Sequence, residues 1–124
     1  MTSTTLLLRQ IHPSFVKDGR ITSQAFRPTP QDEHKLCVYD GDLINAEASW
    51  IHYRNRKLES AAVTAVTVEE CSKEDLIVRS SPEVFPEHAE IDFLGCKPNE
   101  CEKKSKRLRN AAVVRGWLYQ ARQS

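Results

Sequence analysis

Three side chains with acid, base and metal-binding chemistry alternate along one short stretch of the sequence. His88, Glu90 and Asp92, here called the His88 row, are each followed by an apolar residue. In an extended strand alternate residues point to the same side, so an imidazole and two carboxylates would share one face. Such a row can bind a metal ion or act as general acid and base. A strand with an ordinary solvent-facing polar side has the same pattern, and no known metal-binding motif covers these residues.

A catalytic site needs further side chains, and the segment 11–34 supplies two candidates. His12 and Arg20 lie in this stretch, which has no sustained apolar period, and long irregular segments of small domains are often functional. Together with the His88 row, His12 and Arg20 would form the active site of a metal-assisted or group-transfer enzyme. The sequence has no phosphate-binding glycine loop, nucleophile elbow or Cys–His pair with a supporting context. These features favour a protein without catalysis, and we expect no cofactor and no bound metal.

Basic residues are concentrated between positions 103 and 109. On a helix of 3.6 residues per turn, Lys103, Lys106 and Arg107 share one face, and Arg109 follows two positions later. Such a face can contact nucleic-acid phosphates, with an affinity that depends on salt rather than on base sequence. No helix-turn-helix or aromatic-rich strand pair accompanies it. Nucleic-acid binding through these four residues is one alternative hypothesis, and a solvated helix surface is the other.

The net charge of +1 hides an uneven distribution of charge along the chain. Residues 31–96 contain six basic and fourteen acidic residues, whereas residues 97–124 contain eight basic and two acidic ones. These charges either neutralise each other in the fold or leave a two-signed surface that attracts a partner. Trp117 and Tyr119 are candidates for interface anchors or core residues. The sequence therefore favours a non-catalytic protein-binding module, such as a regulatory or accessory subunit, with another protein as its partner.

The composition is that of an ordinary globular protein, with 40% hydrophobic and 28% charged residues. The longest apolar run near the N-terminus, Leu6 to Leu8, is far too short for a signal-peptide core or a membrane span. We therefore expect a cytoplasmic protein that has no membrane partner, with its four cysteines as free thiols.

Residues 85–120 are predicted to form a strand-helix-strand unit. The polar–apolar alternation at 88–93 indicates a strand whose apolar side enters the core. Asn99 and Glu102 match a capping box at the start of a helix, and Gly116 is a natural residue to end it. The lysine-rich helix is expected to lay its alanine and leucine side against the sheet.

Two helices and several strands precede this unit. Asn45 is the predicted N-cap of a helix at 46–54, and Thr67 with Glu70 forms a capping box for a short helix. Strands are predicted at 5–10, 35–39, 61–66 and 76–79. The mixed order of elements indicates an α+β fold. We predict a single small domain over residues 1–124, with a mostly antiparallel sheet of five or six strands, two main helices and one short helix, the helices lying on one face.

Overall fold

Six antiparallel strands form the main sheet in the computed structural model, which describes residues 1–28 and 33–121. The strands are β1 (Leu6–Ile11), β2 (Val16–Lys17), β3 (Arg20–Ile21), β4 (Lys35–Asp40), β5 (Ala62–Thr67), β6 (Ile77–Ser80), β7 (His88–Asp92) and β8 (Tyr119–Gln120). The helices are α1 (Ala46–Asn55), α2 (Val68–Lys73) and α3 (Pro98–Arg115), with 3₁₀ segments at Pro13–Phe15 and Ser23–Phe26. The main sheet has the order β6-β7-β4-β1-β5-β8, and β2 and β3 form a separate hairpin. The predicted α+β fold, with two main helices and a short one, is confirmed.

The sheet is covered on both sides, so the prediction that all helices lie on one face is wrong. Leu7 and Ile11 of β1 pack into the cluster that contains α2 and α3, whereas Leu8 packs into the cluster that contains α1. All residues from Ala62 to Val66 of β5 are buried as well. Because the central strands carry apolar residues on both faces, each face needs its own cover.

Helix α3 packs through the side that the sequence predicts. Leu108 and Ala112 are buried, while Lys103 is exposed to solvent. The buried Ser105 hydroxyl donates a hydrogen bond of 2.9 Å to the Phe26 carbonyl, which ties the helix to the second 3₁₀ segment. Among the helices of the described residues, none is long and apolar enough to cross a membrane.

Most of the predicted helix ends are confirmed, with one correction. Asn45 caps α1 by accepting from the Ala48 N–H, and the capping box of Thr67 and Glu70 starts α2. The predicted capping box of Asn99 and Glu102 is wrong, because the N-cap is Lys97 and α3 begins at Pro98, two residues earlier than predicted. Proline suits that position, since its fixed φ is helical and the missing N–H would have no partner there. Gly116 ends α3 as predicted, with a φ of 87°.

The segment 11–34 contains a small hairpin that the sequence analysis did not predict. Asp18 and Gly19 join β2 to β3 and have φ values of 53° and 77°, as a two-residue hairpin turn of the primed type requires. Strand β3 ends at Ile21, and the 3₁₀ segment Ser23–Phe26 follows it. Residues 29–32 of this segment lie outside the described residues.

Candidate functional site

The two carboxylates of the His88 row pair with different cations on neighbouring strands. Asp92 accepts hydrogen bonds from the Arg79 guanidinium on β6 and from the Leu94 N–H, the latter at 2.7 Å. The Arg79 guanidinium holds the pKa of Asp92 below its usual value, because it favours the charged form. Glu90 lies 3.8 Å from the Lys35 ammonium on β4. Both carboxylates are therefore engaged within the sheet itself.

The imidazole of the row belongs to an aromatic cluster, here called the Phe85 cluster, made of Tyr39, His52, Phe85 and His88. His88 is 5% exposed, and its ring meets the Phe85 ring edge-on with centroids 5.0 Å apart. The Tyr39 hydroxyl and His52 Nδ1 lie 2.8 Å apart. Burial lowers the pKa of His88 and raises the pKa of Tyr39 to about 12. Both groups are therefore neutral near pH 7, and His88 Nδ1 has no hydrogen-bond partner among the described residues.

Neither of the other two catalytic candidates contacts the His88 row. His12 Nδ1 accepts from the Ser14 N–H at 3.0 Å, and its Nε2 lies 3.5 Å from Glu59. Arg20 lies in β3, which packs with α3 on the opposite side of the sheet from the Phe85 cluster. Within residues 1–28 and 33–121, no group of three or more His, Cys, Asp or Glu side chains is placed to hold a metal ion.

The four basic candidates of α3 do not form one continuous face. Lys106 lies 3.4 Å from Glu102 on the preceding turn. Arg107 donates a hydrogen bond of 2.7 Å to Glu74, which follows α2. Lys103 is exposed. The basic end of the chain thus neutralises part of the acidic middle, which is one of the two outcomes that the charge distribution predicts.

Arg109, the fourth of these residues, lines a cavity of about 580 Å³ between the β2–β3 hairpin and the C-terminal half of α3. Arg20 and Ile21 form its hairpin wall, and Val113 and Trp117 lie on the other side. A second cavity of about 470 Å³ shares Arg20, Ile21 and Arg109 with the first. We call the two cavities together the α3 cleft. Arg20, Arg109 and Trp117, which belong to three separate sequence hypotheses, therefore meet in one place.

The α3 cleft carries cationic side chains that lack acidic partners. Lys17 and Arg20 lie directly opposite each other in the register of the hairpin. In the part of the chain that the structure describes, no hydrogen bond or ion pair engages either side chain. Arg109 donates through Nε to the Asn110 side chain at 2.8 Å and has no carboxylate partner among those residues. The cleft is therefore a positively charged region whose donors remain available.

Exposed apolar side chains lie at the C-terminal end of α3, and Val113 among them lines the cleft. Val113 is 51% exposed and Val114 is 89% exposed, although exposed helix positions favour long polar residues over valine. Trp117 is half-buried and packs against the core beside the cleft. Tyr119 differs from Trp117, because its ring lies 5.4 Å from that of Trp50 on the α1 side of the sheet. Of the two predicted aromatic anchors, Trp117 alone lines the cleft.

The sequence analysis did not single out Lys17, Val113 or Val114. The Asp18-Gly19 dipeptide between two short apolar stretches would have indicated a hairpin, and therefore that Lys17 and Arg20 lie opposite each other. For the two valines the sequence offers no comparable signal, because consecutive apolar residues in a helix normally place at least one in the core.

No protein-family model matches the chain, and no curated protein or solved structure shows a significant similarity to it.

Proposed function

We propose that this chain is a non-catalytic module that binds another protein through the α3 cleft and the exposed valines beside it. The observation that carries this proposal is the combination in one cleft of a half-buried tryptophan and two arginines that have no acidic partner among the described residues. Arginine and tryptophan are the residues most often found at the energetic centres of protein interfaces. Exposed apolar side chains next to a polar rim are typical of such interfaces as well.

Several features support a protein partner over a nucleic acid. The wall of the larger cavity includes Ile21, Ala112, Val113 and Trp117, which offer apolar contact area and no phosphate contacts. A nucleic acid is held by a series of cations along its backbone. On α3 that series is interrupted, because Lys106 lies beside Glu102 and Arg107 beside Glu74. The favoured ligand is therefore a short segment of a partner protein that carries both an apolar side chain and a negative charge.

The absence of catalysis in this proposal rests on the engagement of the chemically reactive side chains. Asp92 and Glu90 pair with cations of the neighbouring strands. His88 Nδ1 has no hydrogen-bond partner among the described residues, but the side chain is only 5% exposed and lies against Phe85, out of reach of a substrate. General acid–base chemistry needs such a group within hydrogen-bonding reach of a substrate. The role that remains is binding, as in a regulatory or accessory subunit.

The proposed location is the cytosol. The cysteines at positions 71, 96 and 101 form no disulfide within the described residues, which is the usual state in a reducing compartment. The partner is accordingly expected among cytosolic proteins.

The proposal is tested by selecting peptides from a random display library against the full chain. We expect the enriched peptides to combine an acidic and a large apolar residue, and to bind competitively with one another. Val113→Glu should weaken their binding about tenfold or more, because it places a charge in the apolar wall of the cleft. Calorimetry or fluorescence anisotropy measures the affinities.

Ile51→Glu is the matched control, since Ile51 is an exposed β-branched residue (47%) of helix α1 on the other side of the sheet. Its affinity for the same peptides should equal that of the unchanged chain. The proposal fails if the selection yields no peptides, or if both variants bind them equally well. It also fails if single-stranded oligonucleotides bind at low salt more tightly than any selected peptide, since this would identify the cations as a nucleic-acid site.

A further inference from the structure

Two cations face each other across the β2–β3 hairpin. Lys17 and Arg20 are cross-strand partners on either side of the Asp18-Gly19 turn. Like charges that lie directly opposite each other destabilise a strand pair. Both residues are exposed, so water screens part of this repulsion. An anion bound between the two side chains would replace the repulsion with two attractive contacts.

The smaller cavity of the α3 cleft brings further donors to the same place. It is lined by Lys17, Arg20 and Arg109, and also by the hydroxyl residues Thr22 and Ser23. Thr22 Oγ1 is buried and has no hydrogen-bond partner among the described residues. A buried hydroxyl without a partner costs free energy and usually indicates a missing ligand atom or water. Because this oxygen is inaccessible to solvent, the three cations, rather than the hydroxyl, are the groups that an anion in the cavity would meet first.

We propose that this cavity binds a phosphorylated side chain of the partner protein. The inference rests on the proposed function, because it names the anionic part of the segment that the α3 cleft would bind. The groups around the cavity fit a phosphate group in charge and in donor number. Three cations and the single carboxylate of Asp18 line it, a formal charge of +2, and a phosphate monoester carries about −1.5 to −2 at pH 7.

The charge and the number of donors around the cavity fit a phosphate group better than the carboxylate of an aspartate or glutamate. Two arginines, a lysine and two hydroxyl residues line the cavity, and guanidinium groups bind the oxygens of phosphate through two parallel hydrogen bonds. A carboxylate has one negative charge and two oxygens, so it would leave part of the charge and some of these donors unmatched. Clusters of arginine are a recurrent means of recognising phosphorylated segments.

The inference is tested with two degenerate peptide pools and with inorganic phosphate, all at equal ionic strength. One pool has a fixed central phosphoserine and the other has glutamate at that position. Titrations of the ¹⁵N-labelled full chain, followed by NMR, should show saturable shifts of the Arg20, Thr22 and Ser23 amides with the phosphoserine pool. The glutamate pool and inorganic phosphate should require about tenfold higher concentrations to produce the same shifts. Glutamate carries less negative charge than phosphoserine, and inorganic phosphate lacks the peptide that would contact Trp117.

Variants identify the residues responsible. Arg20→Ala should weaken binding of the phosphoserine pool about tenfold, because it removes a charge-assisted hydrogen bond. Arg54→Ala, which removes an exposed arginine from helix α1, should leave this binding unchanged. The inference is overturned if both pools bind equally, if inorganic phosphate binds as tightly as the phosphoserine pool, or if Arg20→Ala binds like the unchanged chain.

The outcomes separate this inference from the proposed function. If unphosphorylated peptides are selected and depend on Val113, but phosphoserine brings no gain in affinity, the protein-binding function stands and the phosphate site is disproved. If the phosphoserine pool binds through Arg20 while no displayed peptide depends on Val113, the phosphate site stands, and the wider interface proposed for the valines is disproved.

Discussion

The two faces of the sheet use similar side chains in different ways. On the α1 side, Asp92 and Glu90 pair with cations of adjacent strands, and His88 is packed into the Phe85 cluster. On the α3 side, Arg20 and Arg109 line a cleft and have no acidic partner among the described residues. The first face engages its two carboxylates in pairs that hold strands together, whereas the cleft on the second face leaves two arginines available. His88 Nδ1 on the first face also lacks a hydrogen-bond partner among the described residues, but it is buried. A polar group therefore indicates a binding site only where it lacks a partner and is also open to a ligand.

The largest expected effect tests whether the Phe85 cluster is structural. Phe85→Ala removes the ring whose centroid lies 4.6 to 5.1 Å from the ring centroids of Tyr39, His52 and His88. Because Phe85 is only half-buried, we expect a loss of about 2 kcal/mol in the free energy of unfolding, less than for a fully buried ring. Urea unfolding measures the change.

Val84→Ala is the control for Phe85→Ala, since the neighbouring Val84 is 53% exposed and surface changes of this kind usually cost less than about 0.5 kcal/mol. Equal stabilities of the two variants would contradict a structural role for the cluster. Weaker peptide binding by Phe85→Ala at unchanged stability would move the functional surface to the α1 side.

A smaller effect concerns the pH dependence of stability. Burial places the pKa of His88 below its ordinary value of about 6.5 in the folded chain. As the pH falls through that value, the unfolded chain takes up a proton that the folded chain does not, so the free energy of unfolding decreases. His88→Gln should remove this part of the pH dependence. Urea unfolding of both chains at about pH 7.5 and about pH 5.5 tests this. If the free energy of unfolding changes between the two pH values as much in the variant as in the unchanged chain, His88 is not held neutral by the fold.

Much of the fold follows from local signals in the sequence. The Thr67–Glu70 capping box, the Asn45 N-cap and Gly116 correctly predict helix ends, because each satisfies backbone groups of its own turn. The alternation at 88–93 correctly predicts β7. That α1 covers the other face of the sheet could not be predicted, since an apolar stripe does not specify which face of a sheet it meets.

The cleft was harder to predict from the sequence than the fold. Its walls come from the hairpin and from α3, with Arg20 and Arg109 separated by most of the chain, and such a juxtaposition depends on tertiary packing. The individual residues were recognisable, since Arg20, Arg109 and Trp117 were candidates on grounds of residue type. The ion pair between Asp92 and Arg79 could not be predicted from the sequence either. It depends on the register of β6 against β7, in which Arg79 lies opposite Glu90.

The most direct test of the functional contrast between the two faces is a paired measurement on Asp92→Ala and Arg20→Ala. Asp92→Ala should lower the free energy of unfolding by about 1–2 kcal/mol, because it removes hydrogen bonds to a largely buried carboxylate, and should leave the affinity for the selected peptides unchanged. Arg20→Ala should change stability by less than about 0.5 kcal/mol and weaken peptide binding about tenfold. The reverse pattern, with binding lost in Asp92→Ala and stability lost in Arg20→Ala, would contradict the assignment of the binding surface to the α3 cleft.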